Sequence, residues 1–183
     1  MLRLMTAASL LLIGTPAFAQ ITVLGNGLAK SCFESALIPQ ASSNSAIQTC
    51  TRALNEQPIT ATNKLATLVN RGILYMRAEK FDAALADYDK ALAMAPDNGT
   101  VLLNKGAALL SMGDYDRALE TLTEAIEMNP ADVHSAYYNR ALVREQLGDL
   151  NGAYFDLKKS LEFKPDFDLA LRQLDRFVVT ENS

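Results

Sequence analysis

Three asparagines recur at nearly constant spacing along the chain. Asn70, Asn104 and Asn139 are 34 and then 35 positions apart, and each is followed by a basic residue and then by glycine or alanine. Asparagine is a middling helix former, because its amide competes with the backbone for hydrogen bonds. The same amide offers a donor and an acceptor together, so it can pair with a peptide group without reading its side chain. The recurrence therefore indicates either a ligand-binding role or a role in bridging neighbouring structural units.

The basic residue after each asparagine has an acid sixteen positions later in two of the three copies. In the middle copy Lys105 faces Thr121 instead, so the weaker cation and the missing acid occur together. We interpret these positions as partly exposed ion pairs between two helices, each stabilising the fold by at most about 1 kcal/mol. The two pairs are Arg71 with Asp87 and Arg140 with Asp156.

Residues that could perform catalysis or bind a metal are scarce. The sequence has one histidine, His134, for which a packing or surface role is the simpler interpretation. It contains no Gly-x-Ser-x-Gly motif, no phosphate-binding glycine loop and no cluster of histidines and cysteines with metal-ligand spacing. We therefore expect no catalytic residues, no metal site and no cofactor.

The asparagines lie in a segment that occurs three times, over residues 65–98, 99–132 and 134–167. Each copy has small residues where two helices would cross, large apolar residues at i, i+3 and i+4 spacing beside them, and a proline near its end. The recurring positions are Leu68, Gly72, Tyr75, Ala84, Tyr88, Ala91 and Pro96, then Leu102, Gly106, Leu109, Ala118, Leu122, Ala125 and Pro130, then Tyr137, Ala141, Ala153, Leu157, Ser160 and Pro165.

The 34-residue period and these positions resemble the tetratricopeptide repeat. The resemblance implies an all-α fold, a right-handed superhelix of antiparallel helix pairs. Arg144 departs from the family pattern, because it replaces a large apolar residue. After the third copy, residues 168–179 combine an apolar stripe with a charged face, which predicts a C-terminal helix that caps the array.

Residues 27–60 are predicted to form a degenerate N-terminal helix pair, joined to Leu65 by a connector with four extra residues. Cys32 belongs to its first helix and Cys50 to its second. In an oxidising compartment such an even pair predicts a disulfide. The alternatives are two buried free thiols or a redox-active pair, although redox pairs usually have Cys-x-x-Cys spacing.

Residues 1–19 are predicted to be a secretory signal peptide. Arg3 precedes an apolar run around residues 10–13, and Ala17-Phe18-Ala19 supplies a small-x-small cleavage site. The run is too short to span a bilayer permanently, and an uncleaved anchor is the alternative. We therefore expect an exported protein, periplasmic or secreted, with no membrane insertion after cleavage.

The charge balance disfavours two classes of partner. The chain has 17 lysines and arginines against 21 aspartates and glutamates, a formal net charge of −4, and loss of Arg3 with the signal peptide would make it more negative. An acidic exported protein is a poor candidate for binding nucleic acid or an anionic membrane surface.

In tetratricopeptide folds the first helices of successive repeats line a concave groove. The resemblance therefore implies a groove with an apolar floor and a polar rim, a composition suited to a protein segment. Cover by the chain's own terminal helix, or burial in a homodimer, are the alternatives. The predicted groove residues are Val69, Asn70, Ile73, Met76, Arg77, Leu103, Asn104, Ala107, Leu110, Tyr138, Asn139 and Leu142.

The three asparagines occupy groove-facing positions in this alignment. They resemble the asparagine ladder of the repeats in O-GlcNAc transferases, in which the amides hold the backbone of an extended peptide. Bridging between adjacent repeats remains the alternative. The clamp that chaperone-binding family members use for a terminal carboxylate is not predicted, because only Asn104 matches it and the other clamp positions hold Val69, Ile73, Ser135 and Asn139.

These patterns together predict an exported, non-enzymatic repeat scaffold of the periplasm of a Gram-negative-type bacterium. Its expected partner is a peptide or protein segment from another exported or envelope-associated protein, bound in the groove. A structural module that self-associates as a homodimer, with the groove buried in the interface, is the alternative.

Overall fold

A computed structural model of the 183-residue chain describes residues 3–6, 14–23, 25, 27–38, 44–56 and 58–180. The predicted apolar run of the signal peptide, residues 10–13, lies outside the described residues. The described part contains helices α1 to α9 and strands β1 and β2. The helices are α1 Leu28–Leu37, α2 Asn44–Glu56, α3 Ala61–Arg77, α4 Phe81–Met94, α5 Gly99–Met112, α6 Tyr115–Glu127, α7 Val133–Gln146, α8 Leu150–Phe163 and α9 Asp168–Leu174.

The helices pack as consecutive antiparallel pairs, α1 with α2, α3 with α4, α5 with α6 and α7 with α8. Each second helix also contacts the first helix of the next pair, and α3, α5 and α7 contact one another in order. The predicted all-α array of helix pairs is therefore confirmed. Within the described ranges, no helix has the length and apolar character that a membrane span requires.

Two glycines allow the helices of a pair to approach closely. A Cβ atom added to Gly72 would lie 2.4 Å from the ring of Tyr88, and one added to Gly106 would lie 2.5 Å from Cγ of Leu122. Tyr88 and Leu122 are fully buried. The tight contacts therefore involve these large side chains, one helical turn beyond the alanines that the repeat pattern emphasises.

The turn between paired helices needs a left-handed residue in each repeat. Gly113 and Gly148 supply it with φ angles of 78° and 81°. In the first repeat Glu79 adopts the same conformation, with φ 55°, at a cost of about 1 kcal/mol for a residue with a side chain. The repeat geometry is therefore retained even where the favourable glycine is missing.

Two boundaries differ from the predicted ones. The connector at residues 61–64 is helical, because the hydroxyl of Thr60 caps α3 by accepting from the backbone N–H of Asn63. The predicted C-terminal helix over 168–179 is too long, since α9 ends at Leu174. Phe177–Thr180 instead forms β2, which pairs antiparallel with β1 at Arg3–Thr6. The aromatic and β-branched sequence of β2 favours a strand over a further helical turn.

The N-terminal helix pair is joined by a disulfide between Cys32 and Cys50, as predicted. Both cysteines are fully buried, and they pack with Ile47 and Leu74 against α3. This pair has a repeat on one side only, so the covalent link supports a terminal unit of the array.

The two predicted ion pairs form with two parallel hydrogen bonds each. Arg71 donates to both carboxylate oxygens of Asp87 at 2.7 and 2.8 Å, and Arg140 binds Asp156 in the same way at 2.9 and 2.8 Å. They are more buried than predicted, because the Asp87 side chain is only 2% exposed. Burial opposes the charge of Arg71, but the hydrogen bond and charge of Asp87 outweigh it and raise its pKa.

Each arginine also links neighbouring repeats. A third nitrogen of Arg71 donates to the hydroxyl of Thr51 at 2.9 Å, and the corresponding nitrogen of Arg140 donates to Thr123. In the middle repeat Lys105 pairs at 2.8 Å with Asp89 of the preceding helix pair. The expectation that Lys105 lacks an acid was therefore wrong, because its acid belongs to another repeat.

Arg144, the residue that departs from the family pattern, also joins this network. Its guanidinium lies 2.9 Å from a carboxylate oxygen of Asp156 and donates to the backbone carbonyl of Gly152. In the third repeat an ionic contact therefore takes the place of an apolar one.

We expect replacement of both cysteines by alanine to lower the free energy of unfolding by about 3 kcal/mol. The closed loop of eighteen residues restricts the unfolded chain, and that restriction is lost. Urea denaturation of the oxidised protein, the reduced protein and the double variant measures the effect. The reduced protein should match the variant, and an unchanged midpoint on reduction would contradict a stabilising disulfide.

We expect Asp87→Ala to lower the free energy of unfolding by about 3 kcal/mol, because it leaves the largely buried Arg71 without its carboxylate. Asp89→Ala, on the same helix but in a pair whose acid is 60% exposed, should cost less than about 1 kcal/mol. Urea denaturation of both variants provides the comparison. Equal losses of unfolding free energy in the two variants would contradict a larger stabilisation by the buried ion pair.

Candidate peptide-binding groove

The first helices of the three repeats, α3, α5 and α7, form one continuous surface with their asparagines in a row. Apolar groove residues repeat on these helices three to four positions apart, which places them on one face. Residues 14–23 of the same chain lie along this face, and we call them the groove segment. The groove floor is buried for this reason, and Asn70, Asn104 and Asn139 each have 0% exposure.

Each asparagine amide makes two hydrogen bonds with one residue of the groove segment. The Asn139 amide accepts from the N–H of Ala17 at 2.8 Å and donates to its carbonyl at 2.8 Å. Asn104 binds Ala19 in the same way at 3.0 and 2.7 Å, and Asn70 binds Ile21 at 3.2 and 2.8 Å. We call this set of six hydrogen bonds the asparagine ladder.

The ladder fixes both the conformation and the register of the groove segment. It contacts every second residue, the pattern of an extended chain in which alternate residues face the same side. The segment runs from the third repeat to the first and advances by two residues per repeat. A further hydrogen bond of 3.1 Å, from the hydroxyl of Tyr138 to the carbonyl of Thr15, continues the contact beyond Asn139.

The side chains of the groove segment meet apolar residues of the floor. Ala19 is buried in a cluster with Leu103, Tyr138 and Leu142, and Ala17 packs against the same cluster. Phe18 and Ile21 are half-buried against a second cluster. That cluster includes Val69, Ile73 and Met76. Ala19, at 3% exposure, is therefore the most enclosed described residue of the groove segment.

The upstream end of the segment is also tightly enclosed. A Cβ atom added to Gly14 would lie 2.5 Å from the hydroxyl oxygen of Tyr138 and 2.4 Å from Nε2 of Gln173. Burial raises the pKa of Tyr138 to about 12, although its hydrogen bond with Gln173 acts in the opposite direction. The hydroxyl therefore stays protonated at neutral pH and can donate its hydrogen bond to the backbone carbonyl of Thr15.

One side of the groove segment faces a charged cavity of about 370 Å³. Arg77, His134 and Lys164 line it, together with Asp132 and the segment's own Gln20. Burial and the nearby Lys164 lower the pKa of His134, so this side chain is mostly neutral at pH 7. Two permanent cations and one carboxylate give the cavity a net positive charge.

The structure brings all twelve predicted groove residues together along α3, α5 and α7. Eleven of them are buried and Arg77, at the rim, is half-buried and donates to the carbonyl of Ile38. The groove is covered by an extended N-terminal segment of the chain, where the sequence had suggested a terminal helix or a second copy. The asparagines bind this segment and, within the described residues, bridge no neighbouring repeats.

Sequence reasoning missed the segment that fills the groove, and with it the contribution of Gln173. The alternation of Ala17, Ala19 and Ile21 is visible in the sequence, but the first two of these residues also fit a signal-peptidase site. No group of three or more potential metal-ligating side chains was found within the part of the chain that the structure describes. The polar chemistry of the groove is hydrogen bonding to a backbone.

Comparison with protein families gives two matches. A tetratricopeptide-repeat family matches residues 63–131, and another with the same description matches residues 134–167. Together they span more than half of the chain. The matched residues include α4, α5, α6 and α8 in full and nearly all of α3 and α7, and therefore all three asparagines of the ladder.

Curated relatives share the repeats but are much longer proteins. The chain is 31% identical over 106 residues to human superkiller complex protein 3, which is 58% of this chain and 7% of that protein. It is 33% identical over 90 residues to Hsc70-interacting protein 1 of Drosophila melanogaster, which is 49% of this chain and 23% of that protein. The chain therefore spans less than a quarter of the length of these relatives.

Solved structures show the same architecture. The first tetratricopeptide-repeat domain of Spaghetti (RPAP3), bound to the HSP90 peptide SRMEEVD, superposes with a TM-score of 0.58 and 26% identity, covering 62% of this chain and 89% of that one. MamA superposes with a TM-score of 0.63 at 19% identity, covering 84% of this chain and 94% of that one, which supports the fold alone.

We expect the amide protons of Ala17, Ala19 and Ile21 to exchange with solvent at least about tenfold more slowly than those of Phe18 and Gln20 in the full chain. Only the first three donate to ladder asparagines, and hydrogen-bonded amides exchange through local opening. Hydrogen exchange followed by NMR on protein that retains residues 1–19 measures the rates.

Asn104→Ala should abolish the protection at Ala19, because both of its ladder hydrogen bonds are lost. Asn151→Ala, an exposed asparagine on α8, is the matched control and should change nothing. Uniform exchange along residues 17–21 in the unsubstituted chain would contradict the ladder.

Proposed function

Because the chain belongs to the tetratricopeptide-repeat family, we propose that it is an exported protein-interaction scaffold whose groove binds an extended segment of another protein. The partner is an exported or envelope-associated protein, and the site of action is the periplasm. The groove serves for binding without catalysis, since its polar contacts engage the backbone of the bound segment.

One observation carries this proposal, the asparagine ladder itself. Six hydrogen bonds join three asparagines to the backbone of an extended segment, and none of the six involves a side chain of that segment. Backbone groups are common to all peptides, so a groove of this kind accepts another extended segment in the same place. The apolar floor then selects among sequences by the size of their side chains.

Export supplies the step that opens the groove. Cleavage after Ala19, at the predicted signal-peptidase site, removes Ala17 and Ala19, which are hydrogen-bonded to Asn139 and Asn104. Both amides and the floor around Leu103 and Tyr138 then become available to a partner. A buried polar group without a hydrogen bond costs about 1–3 kcal/mol, so the emptied groove has a strong tendency to take up a new extended segment or water.

The relatives support peptide binding as the general function. The Spaghetti (RPAP3) domain was solved with a bound HSP90 peptide, and Hsc70-interacting protein 1 is named for its partner. The present chain has Val69, Ile73 and Ser135 at clamp positions for the carboxylate of such chaperone peptides. We therefore propose that its ligand belongs to a different class of peptide.

The proposal is tested with chain purified after export, whose mass should correspond to a start at Gln20. We expect it to enrich peptides from a displayed random library, whereas the full chain, with its groove occupied, should enrich none. Leu103→Glu and Asn104→Ala should each abolish enrichment, because they change the floor and the ladder.

Phe155→Glu is the control, since Phe155 is 60% exposed on α8 and lies outside the groove. Circular dichroism establishes that each variant remains helical. Enrichment by the full chain, or enrichment that Leu103→Glu leaves intact, would contradict groove binding. A stable dimer in sedimentation, with no peptide enriched, would instead support the self-associating scaffold.

A further inference from the structure

We propose that the exported chain binds the carboxyl terminus of its partner, an extended tail that ends in the pattern small-x-small. The tail forms hydrogen bonds with Asn139 and Asn104, while Ile21 of the chain itself remains hydrogen-bonded to Asn70. This inference rests on the proposed function and on cleavage after Ala19, and it specifies the class of ligand.

The residues just after the cleavage site are held in place independently of the residues that leave. Ile21 makes both of its hydrogen bonds with Asn70 and packs against the apolar floor. Val23 is 5% exposed and lies in a cluster with Ala29, Ala53 and Ala66. Residues 20–23 are thus anchored to α1, α2 and α3, and they continue to fill the first-repeat part of the groove after cleavage.

The retained residues limit how a partner can enter. In the full chain Ala19, which is hydrogen-bonded to Asn104, is joined by one peptide bond to Gln20. The next residue, Ile21, is hydrogen-bonded to Asn70. A partner that runs in the same direction and binds both free asparagines therefore meets the retained chain immediately after its last ladder residue. The simplest tail that fits ends there, with its terminal residue in the position of Ala19.

The charges around Gln20 favour the same orientation of the tail, with its carboxyl terminus next to Gln20. Cleavage creates an α-ammonium group on Gln20, next to the position where the partner's terminal carboxylate would lie. Arg77 and Lys164 line the cavity that Gln20 also lines, opposed by Asp132. A tail in the reverse direction would place its own ammonium group against that of Gln20, and like charges at close range repel.

The enclosure of the groove segment gives the size rule. Ala19 is 3% exposed among Leu102, Leu103 and Tyr138, so the terminal residue of the tail must be small. Ala17 packs against the same cluster and indicates a second small residue two positions earlier. Phe18 between them is half-buried like Ala17 but packs against the second cluster, so the groove accepts a large side chain at the intervening position.

The probe is a synthetic hexapeptide with the sequence of residues 14–19, Gly-Thr-Pro-Ala-Phe-Ala, with a free carboxyl terminus and a fluorophore joined to its amino end by a flexible linker. Fluorescence anisotropy measures its affinity for the exported chain, in which mass spectrometry has established a free α-amino group on Gln20. We expect saturable binding that is at least about fivefold weaker for the carboxamide peptide. Leucine in place of the final alanine should weaken it at least about tenfold.

Variants of the protein locate the bound peptide. Asn104→Ala and Asn139→Ala should each raise Kd at least about tenfold, since each loses two hydrogen bonds to the peptide. Asn151→Ala, exposed on α8, should have no effect.

A second peptide separates this inference from the proposed function. The decapeptide of residues 14–23 should bind at least about fivefold more weakly than the hexapeptide, because its last four residues compete with the retained chain. Equal or tighter binding of the decapeptide, or of the carboxamide, would overturn the carboxyl-terminal tail while leaving groove binding intact. If neither peptide binds and the library selection also fails, the proposed function fails as well.

Discussion

The pairing of one asparagine amide with one peptide group in each repeat is the interaction on which the groove depends. It works only if the three amides are spaced to meet every second residue of an extended chain, so the superhelix must hold α3, α5 and α7 in a fixed relation. An amide that is buried and misplaced would lose its hydrogen bonds at a cost of about 1–3 kcal/mol. The accuracy of helix packing is therefore a condition for binding as well as for stability.

Three features of the scaffold provide that accuracy. Close approach at Gly72 sets the separation of α3 and α4 against the buried ring of Tyr88. The arginine next to Asn70 then fixes the rotation of α3, because Arg71 binds Asp87 of its own pair and Thr51 of the preceding one. The disulfide supports the end of the array where Ile21 and Val23 are anchored. Each triplet of asparagine, basic residue and small residue thus combines the contact to the groove segment with the contacts that position the asparagine.

The parts of this structure that could be predicted from the sequence are those set by local repetition. The helix pairs, the pairing of Arg71 with Asp87 and the disulfide follow from spacing within one or two repeats. Contacts between distant or non-equivalent segments could not be predicted. Lys105 pairs with Asp89 of another repeat, β2 pairs with a strand more than 170 residues earlier, and the groove segment reaches three repeats from the far end of the chain. Nothing in the periodicity encodes these pairings, and the predicted signal-peptidase site overlaps the residues of the groove segment.

We propose that cleavage after Ala19 divides the ladder, so that one asparagine remains bound to the chain itself and two become available to a partner. The side-chain amide resonances of Asn70, Asn104 and Asn139 in ¹H–¹⁵N NMR spectra test it most directly, because each resonance reports the hydrogen bonds of its own amide. Between the full chain and the exported chain, we expect the signals of Asn104 and Asn139 to shift while that of Asn70 stays in place. Three signals that move together, or three that do not move at all, would contradict it.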